Sequence, residues 1–175
     1  SRAENVLAFY EMYANELPTK NYQPLTSSNI LDKWIIARLA ELVGEVSLHM
    51  ERYELDMATR PIARFIDDLS TWYLRRSRER FKEEKNAGAR GALRFVLVEL
   101  SKIMAPFTPF IAEDIYRRAD GEKESVHLEE WPEVASGAWF KIFSFFRRLF
   151  GGGDSALLSD MEKVRGLVSR ALEAR

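Results

Sequence analysis

An all-α fold, an antiparallel helical bundle, is what this sequence predicts. Apolar residues recur three and four positions apart along most of the chain, the spacing that lines one face of a helix. Proline and glycine clusters cut that pattern into pieces of helix length joined by short connections. Alternation of polar and apolar residues is confined to Ser125-Val126-His127-Leu128, which reads as one short extended segment.

The first helix spans about Glu4 to Glu16, with Val6, Leu7, Tyr10 and Tyr13 as its stripe. Pro18 and Pro24 mark the loop after it. Ser28 or Asn29 can cap the second helix, because a short polar side chain accepts from the unpaired N–H groups of a first turn. Ile35, Leu39, Leu42, Val46 and Met50 carry that helix to about Glu51. A third begins at Asp56 or Thr59, with Pro61 in its first turn, and fades near Lys85. It contains FIDDLSTWYLRRSRERF, from Phe65 to Phe81. An apolar face there (Ile62, Phe65, Ile66, Leu69, Tyr73) runs into a basic cluster of Arg75, Arg76, Arg78 and Arg80. Asn86, Gly88 and Gly91 read as a turn. Leu93, Val96, Leu97, Leu100, Ile103 and Met104 form a fourth helix, interrupted by Pro106 and Pro109 and resumed from Phe110 to Ala119. The last helix starts near Ser155, with Leu157, Met161, Val164, Val168 and Leu172 facing inward.

Composition narrows the function classes. The 175 residues, 30% charged and 46% apolar, suit a globular chain of about one domain. Twenty-six basic and twenty-seven acidic residues leave a net charge of -1, so any nucleic-acid contact must come from a local patch. No cysteine is present, which excludes disulfides and thiolate metal sites. His49 and His127 lie too far apart in sequence to suggest zinc, and no cofactor is expected. No signal peptide and no apolar run of membrane-spanning length is visible, so a cytosol-compatible chain is the default. Asp67 and Asp68 are adjacent on a helix and point about 100° apart, which suits capping or surface roles better than an acid–base dyad.

Four stretches together resemble the anticodon-binding domain of class I isoleucyl-tRNA synthetases. They are Asn29-Ile30-Leu31-Asp32-Lys33-Trp34-Ile35; Trp72-Tyr73-Leu74-Arg75 within the basic helix; Met104-Ala105-Pro106-Phe107-Thr108-Pro109-Phe110-Ile111-Ala112-Glu113; and Ser125-Val126-His127-Leu128 with Trp131-Pro132. Asp160-Met161-Glu162-Lys163-Val164-Arg165 resembles the helix that follows in the same family. The resemblance implies the helical bundle of the class Ia anticodon-binding type, which docks the tRNA anticodon stem-loop while other domains of a cytoplasmic enzyme aminoacylate and edit. HIGH and KMSKS-type motifs do not occur, so the chain alone is not expected to be an enzyme. For tRNA contact the candidates are Arg75, Arg76, Arg78 and Arg80, whose guanidinium groups bind phosphate bidentately, with Trp131 as a stacking surface. Interleaved Glu79, Glu83 and Glu84 support the plainer reading of a solvated helix face.

Two features depart from the family. Lys82 stands where the pattern continues into Trp, which suits a helix end facing water. An aromatic cationic segment, 138–150, sits between Trp131-Pro132 and the final helix, with Gly151-Gly152-Gly153 as a flexible joint behind it. Its Trp139, Phe140, Phe143, Phe146, Arg147 and Phe150 suit three roles: completing the core, lying on a membrane surface, or presenting a helix to a protein partner. The third is the favoured expectation. Trp139-Phe140-x-Ile142 is similar to the Trp-Phe-x-Ile of the membrane-proximal helical region of the HIV envelope protein, a segment transplanted onto helical scaffolds for antibody recognition. The whole is therefore expected to be one bundle domain, 1–175, an engineered fragment carrying an inserted or grafted aromatic helix. Native anticodon stem-loop binding is the alternative.

Overall fold

A computed structural model of the chain describes residues 2–14, 29–82, 87–132 and 154–173. The chain divides into two compact units, residues 1–134 and 135–175. The first is a helical bundle: α1 (Arg2–Ala14), α2 (Ile30–Glu51), α3 (Leu55–Asp67), a π-helical segment (Asp68–Leu74), α4 (Arg75–Lys82), α5 (Ala87–Met104) and α6 (Pro109–Arg118). The described part of the second unit is α7 (Asp154–Glu173). No described residue is in a β-strand. The aromatic segment 138–150, with Trp139, Phe140, Phe143, Phe146, Arg147 and Phe150, lies outside the described residues.

At the centre stands α2. Asn29 caps it by accepting the Leu31 N–H at 2.9 Å, and burial is then almost continuous from Asp32 to Val46. Asp32 to Ala37 is buried on every side, while Glu41, Gly44, Glu45 and Leu48 leave one exposed stripe farther along. The covers of α2 are α3, the π segment and α5. The expected stripe of α5, from Leu93 to Met104, is buried in full.

Several local expectations are corrected. Gly88 and Gly91 lie inside α5 rather than in a turn. Tertiary contact overrides their propensity, because the first turn of α5 packs through fully buried Ala89 and Ala92, and Arg90 Nη2 donates to the Phe81 carbonyl at 3.0 Å. Pro61 is not in the first turn of α3 but midway along it and buried. Helical bonding already begins where the Ala58 N–H meets the Glu54 carbonyl at 3.0 Å. Ser125 to Leu128 is not extended. Val126–Leu128 is a single 3₁₀ turn whose Ser125 hydroxyl accepts from the His127 N–H at 3.3 Å. Its shape is imposed by α6, since the Glu113 carboxylate accepts from both Ser125 Oγ and Val126 N–H at 2.9 Å. On α7 the stripe is not enclosed: Leu157, Met161 and Val168 are half-buried and Val164 is 47% exposed.

Two helix ends close in the same way. At the end of α2 the Tyr53 N–H bonds the Met50 carbonyl and the Glu54 N–H bonds that of His49. At the end of α6 Asp120 and Gly121 repeat the pair of bonds, to Arg117 and Tyr116. This six-to-one closure requires a left-handed residue, and Tyr53 (φ 58°) and Asp120 (φ 62°) supply it. Asp120 is tolerated there, and its neighbourhood is tied down by Arg94, which donates to the Ala119 carbonyl at 3.2 Å. Gly121 is required beside it, because a Cβ would fall 2.2 Å from the Tyr116 ring. Tyr53, by contrast, is a bulky residue at a site that favours glycine, and it is 91% exposed. Replacing Tyr53 by Gly is expected to stabilise the bundle by about 1 kcal/mol, read as a higher urea midpoint. An unchanged or lower midpoint would show that the left-handed turn carries no strain.

The carboxylates that hold the 3₁₀ turn predict the acid response. Glu113 is pushed below its ordinary value by the Val126 N–H first, then by Ser125 and Arg117. Burial works to raise Glu129, but the Tyr116 hydroxyl, Lys102 and Lys123 outweigh it and leave the group lowered. Both groups therefore bind fewer protons folded than unfolded. Their contribution is present above the ordinary carboxylate pKa and lost as pH falls through the depressed values. Urea midpoints should drop between about pH 5 and pH 3, and Glu113→Gln should flatten that drop.

Candidate nucleic-acid interface

A helix can bind RNA only with cations that the fold has not already used. The four arginines of the basic stretch divide on this test. Arg80 is spent internally. Its Nη2 and Nη1 meet the two carboxylate oxygens of Asp32 at 2.6 and 2.9 Å, and Asp32 is fully buried. The Tyr73 hydroxyl donates to the same carboxylate at 2.8 Å. Arg75, Arg76 and Arg78 instead lie exposed on α4. The Arg76 guanidinium sits 3.6 Å above the centre of the Trp72 ring, a cation–π stack that leaves its edges open. Among the described residues neither Arg75 nor Arg78 has an acidic partner.

Arg75 and Arg78 also line a groove of about 420 Å³ between α1 and the π segment. Arg2, Asn5, Val6, Phe9, Ser70 and Leu74 complete its wall. None of the α1 residues stood out in the sequence as a site residue, because the pairing of α1 with the π segment is a tertiary event without a local signature. Arg2 is held at the rim by Asp67 of α3. Asp67 is thus a surface ion-pair partner, as its position suggested, but Asp68 is not a surface residue. It is buried and accepts from Arg38 Nε at 3.1 Å.

Trp131 belongs to a different place. It is half-buried, and its indole Nε1 donates to Ser47 Oγ at 2.8 Å near the far end of α2. Ser47 lies some four turns from Asp32, roughly 22 Å at 1.5 Å per residue, so Trp131 and the arginine cluster do not form one constellation. Among the described residues no group of His, Asp and Glu could hold a metal ion. Nor is any helix of these residues long and apolar enough to cross a membrane.

A model of the anticodon-binding domain of tRNA ligase matches residues 32–170, and the chain belongs to that family. Similar curated proteins are isoleucine–tRNA ligases. Those of Clostridium acetobutylicum and Chlamydia trachomatis serovar D are 41% and 44% identical over 140 residues, and that of Deinococcus radiodurans is 41% identical over 135. Each match covers 74% of this chain but only 14%, 13% and 12% of the respective relative. The chain thus corresponds to the anticodon-binding part of such ligases, which is not itself catalytic.

The commitment of Arg80 predicts which substitutions unfold the bundle. Asp32→Ala leaves the half-buried Arg80 guanidinium and the buried Tyr73 hydroxyl without their carboxylate and is expected to cost about 3 kcal/mol in chemical denaturation. Arg78→Ala, at an exposed unpaired site, should fall within about 0.5 kcal/mol of the parent. Equal costs at the two positions would contradict this division of the cluster.

Proposed function

We propose that this bundle binds the anticodon stem-loop of tRNA, with Arg75, Arg76 and Arg78 as the phosphate-contacting residues and a tRNA accepting isoleucine as the preferred partner. The observation that carries the reading is the exposed face of α4. It holds two unpaired guanidinium groups and a third stacked on Trp72, in a chain whose net charge of -1 provides no general attraction for RNA. Family membership supports the same reading over display of the 138–150 segment to an antibody. Trp131, an aromatic face at the other end of α2, is a separate stacking candidate. In this reading the bundle works as the tRNA-docking part of a cytoplasmic isoleucine–tRNA ligase, with amino-acid activation performed outside it.

The test is binding of deacylated isoleucine tRNA across a salt series. Removing one arginine–phosphate pair should lower the slope of log K against log salt by about 0.7 to 0.9. Arg75→Ala with Arg78→Ala should therefore reduce the slope by roughly 1.5 and weaken binding at low salt. A double variant that binds with the parent's slope and affinity would overturn the proposal.

A further inference from the structure

We infer that Trp72 is a positioning residue: stacked under Arg76, it holds that guanidinium ready for a phosphate and makes Arg76 the strongest of the three exposed contacts on α4. The inference rests on the RNA-binding reading of α4, but it assigns a task to a side chain that does not itself touch RNA.

The fold fixes the platform first. Trp72 lies in the π segment beside buried Tyr73 and Leu74. It is half-buried, and the Nε1 edge of its indole is fully enclosed, so the ring cannot swing away from the bundle. Arg76 follows four residues later, across the junction between the π segment and α4. Four residues overshoot an α-helical turn by about 40°, and the wider π turn takes up part of that excess. The guanidinium carbon of Arg76 therefore comes to rest 3.6 Å from the ring centre. That is too close for any orientation except one nearly flat on the ring.

A flat stack occupies a face of the guanidinium and leaves its edge, where all its N–H donors lie. Arg76 is exposed, so this edge is open to a bidentate partner. An arginine moving in solvent gives up rotamer freedom when it meets a phosphate, whereas Arg76 has given it up already. The indole also shields one face of the cation from water, which strengthens its attraction for an anion. Arg75 and Arg78 instead line the open groove. Equal charges thus make unequal contacts: each arginine adds a similar increment to the salt slope, but Arg76 adds more to affinity.

The experiment is a double-mutant cycle on binding of the full chain to deacylated isoleucine tRNA, with Trp72→Leu and Arg76→Ala as its two sides. In the parent, Trp72→Leu should weaken binding about threefold to fivefold at an unchanged salt slope, because the stack is lost and the charge is kept. In the Arg76→Ala background the same substitution should have no effect. Trp72→Phe keeps an aromatic face and should bind within about twofold of the parent. A Trp72→Leu cost of the same size in both backgrounds would show that Trp72 acts on RNA or on the bundle directly, and would overturn the positioning role. So would the absence of any cost in the parent. If Arg76→Ala keeps the parent's salt slope, the phosphate-binding reading of Arg76 fails instead. A second measurement uses the unmutated chain and so holds even if Trp72→Leu does not fold. The Arg76 Nε–H proton resonance, identified by its loss in Arg76→Lys, should be shifted upfield by the indole ring current in the free protein. A resonance at the usual arginine position would overturn the inference by itself.

Discussion

The carboxylate of Asp32 is the constraint around which the first unit is arranged. It has no exposure, yet it accepts from Tyr73 and from both outer nitrogens of Arg80. An ionised carboxylate in a protein interior is costly unless paired and hydrogen-bonded, and a well-packed apolar replacement is often as stable. Its consequence here is registry. Sliding α2 by one turn along the partner helix would strand buried Asp32 and Tyr73 and half-buried Arg80 at once. Down the same interface the pairing repeats with decreasing burial: Arg38 meets Asp68, whose side chain is 9% exposed, and Glu45 meets Arg64 at 43% and 63%. Only the first two of these pairs are dry enough to matter much, since exposed ion pairs contribute little.

The π segment explains how one long helix meets that constraint. Along that helix the buried residues Phe65, Leu69, Tyr73, Ser77 and Phe81 fall at an interval of four, with Asp68 and Leu74 buried beside them. On an ideal α-helix a step of four overshoots a full turn by about 40°, so the series would wander roughly 160° around the axis. The wider turn of a π-helix reduces the overshoot, and it falls between Asp68 and Leu74, in the middle of the series. With the drift absorbed there, Phe65 faces the core before the segment and Tyr73 and Phe81 face it after. The same adjustment brings Tyr73 and Arg80 to one carboxylate. It also leaves Arg75, Arg76 and Arg78 together on the opposite side, so the division of labour among the arginines follows from backbone geometry.

Much of this architecture is legible in the sequence because helical periodicity is a local signal. The stripes of α1, α2 and α5 come directly from spacing, and the family resemblance reaches the same bundle from separate motifs. The departures share a cause. Gly88, Gly91 and Pro61 carry turn and start signals that packing overrides, and Ser125 to Leu128 takes its shape from a glutamate twelve residues upstream in the chain. Arg80 looks like its neighbours because nothing local distinguishes an arginine that finds a carboxylate forty-eight positions away. The interval of four is the trace that the π segment leaves in the sequence. The groove leaves no such trace, since its wall joins α1 to a helix more than sixty residues distant.

The charge balance of α4 accounts for its exposed face. Glu79 stands four residues after Arg75 and three after Arg76, the spacing at which it could neutralise either of them. It pairs instead with Lys82 Nζ at 2.8 Å, an exposed contact of little strength. In a chain with no net positive charge, these three exposed arginines make a local cationic face.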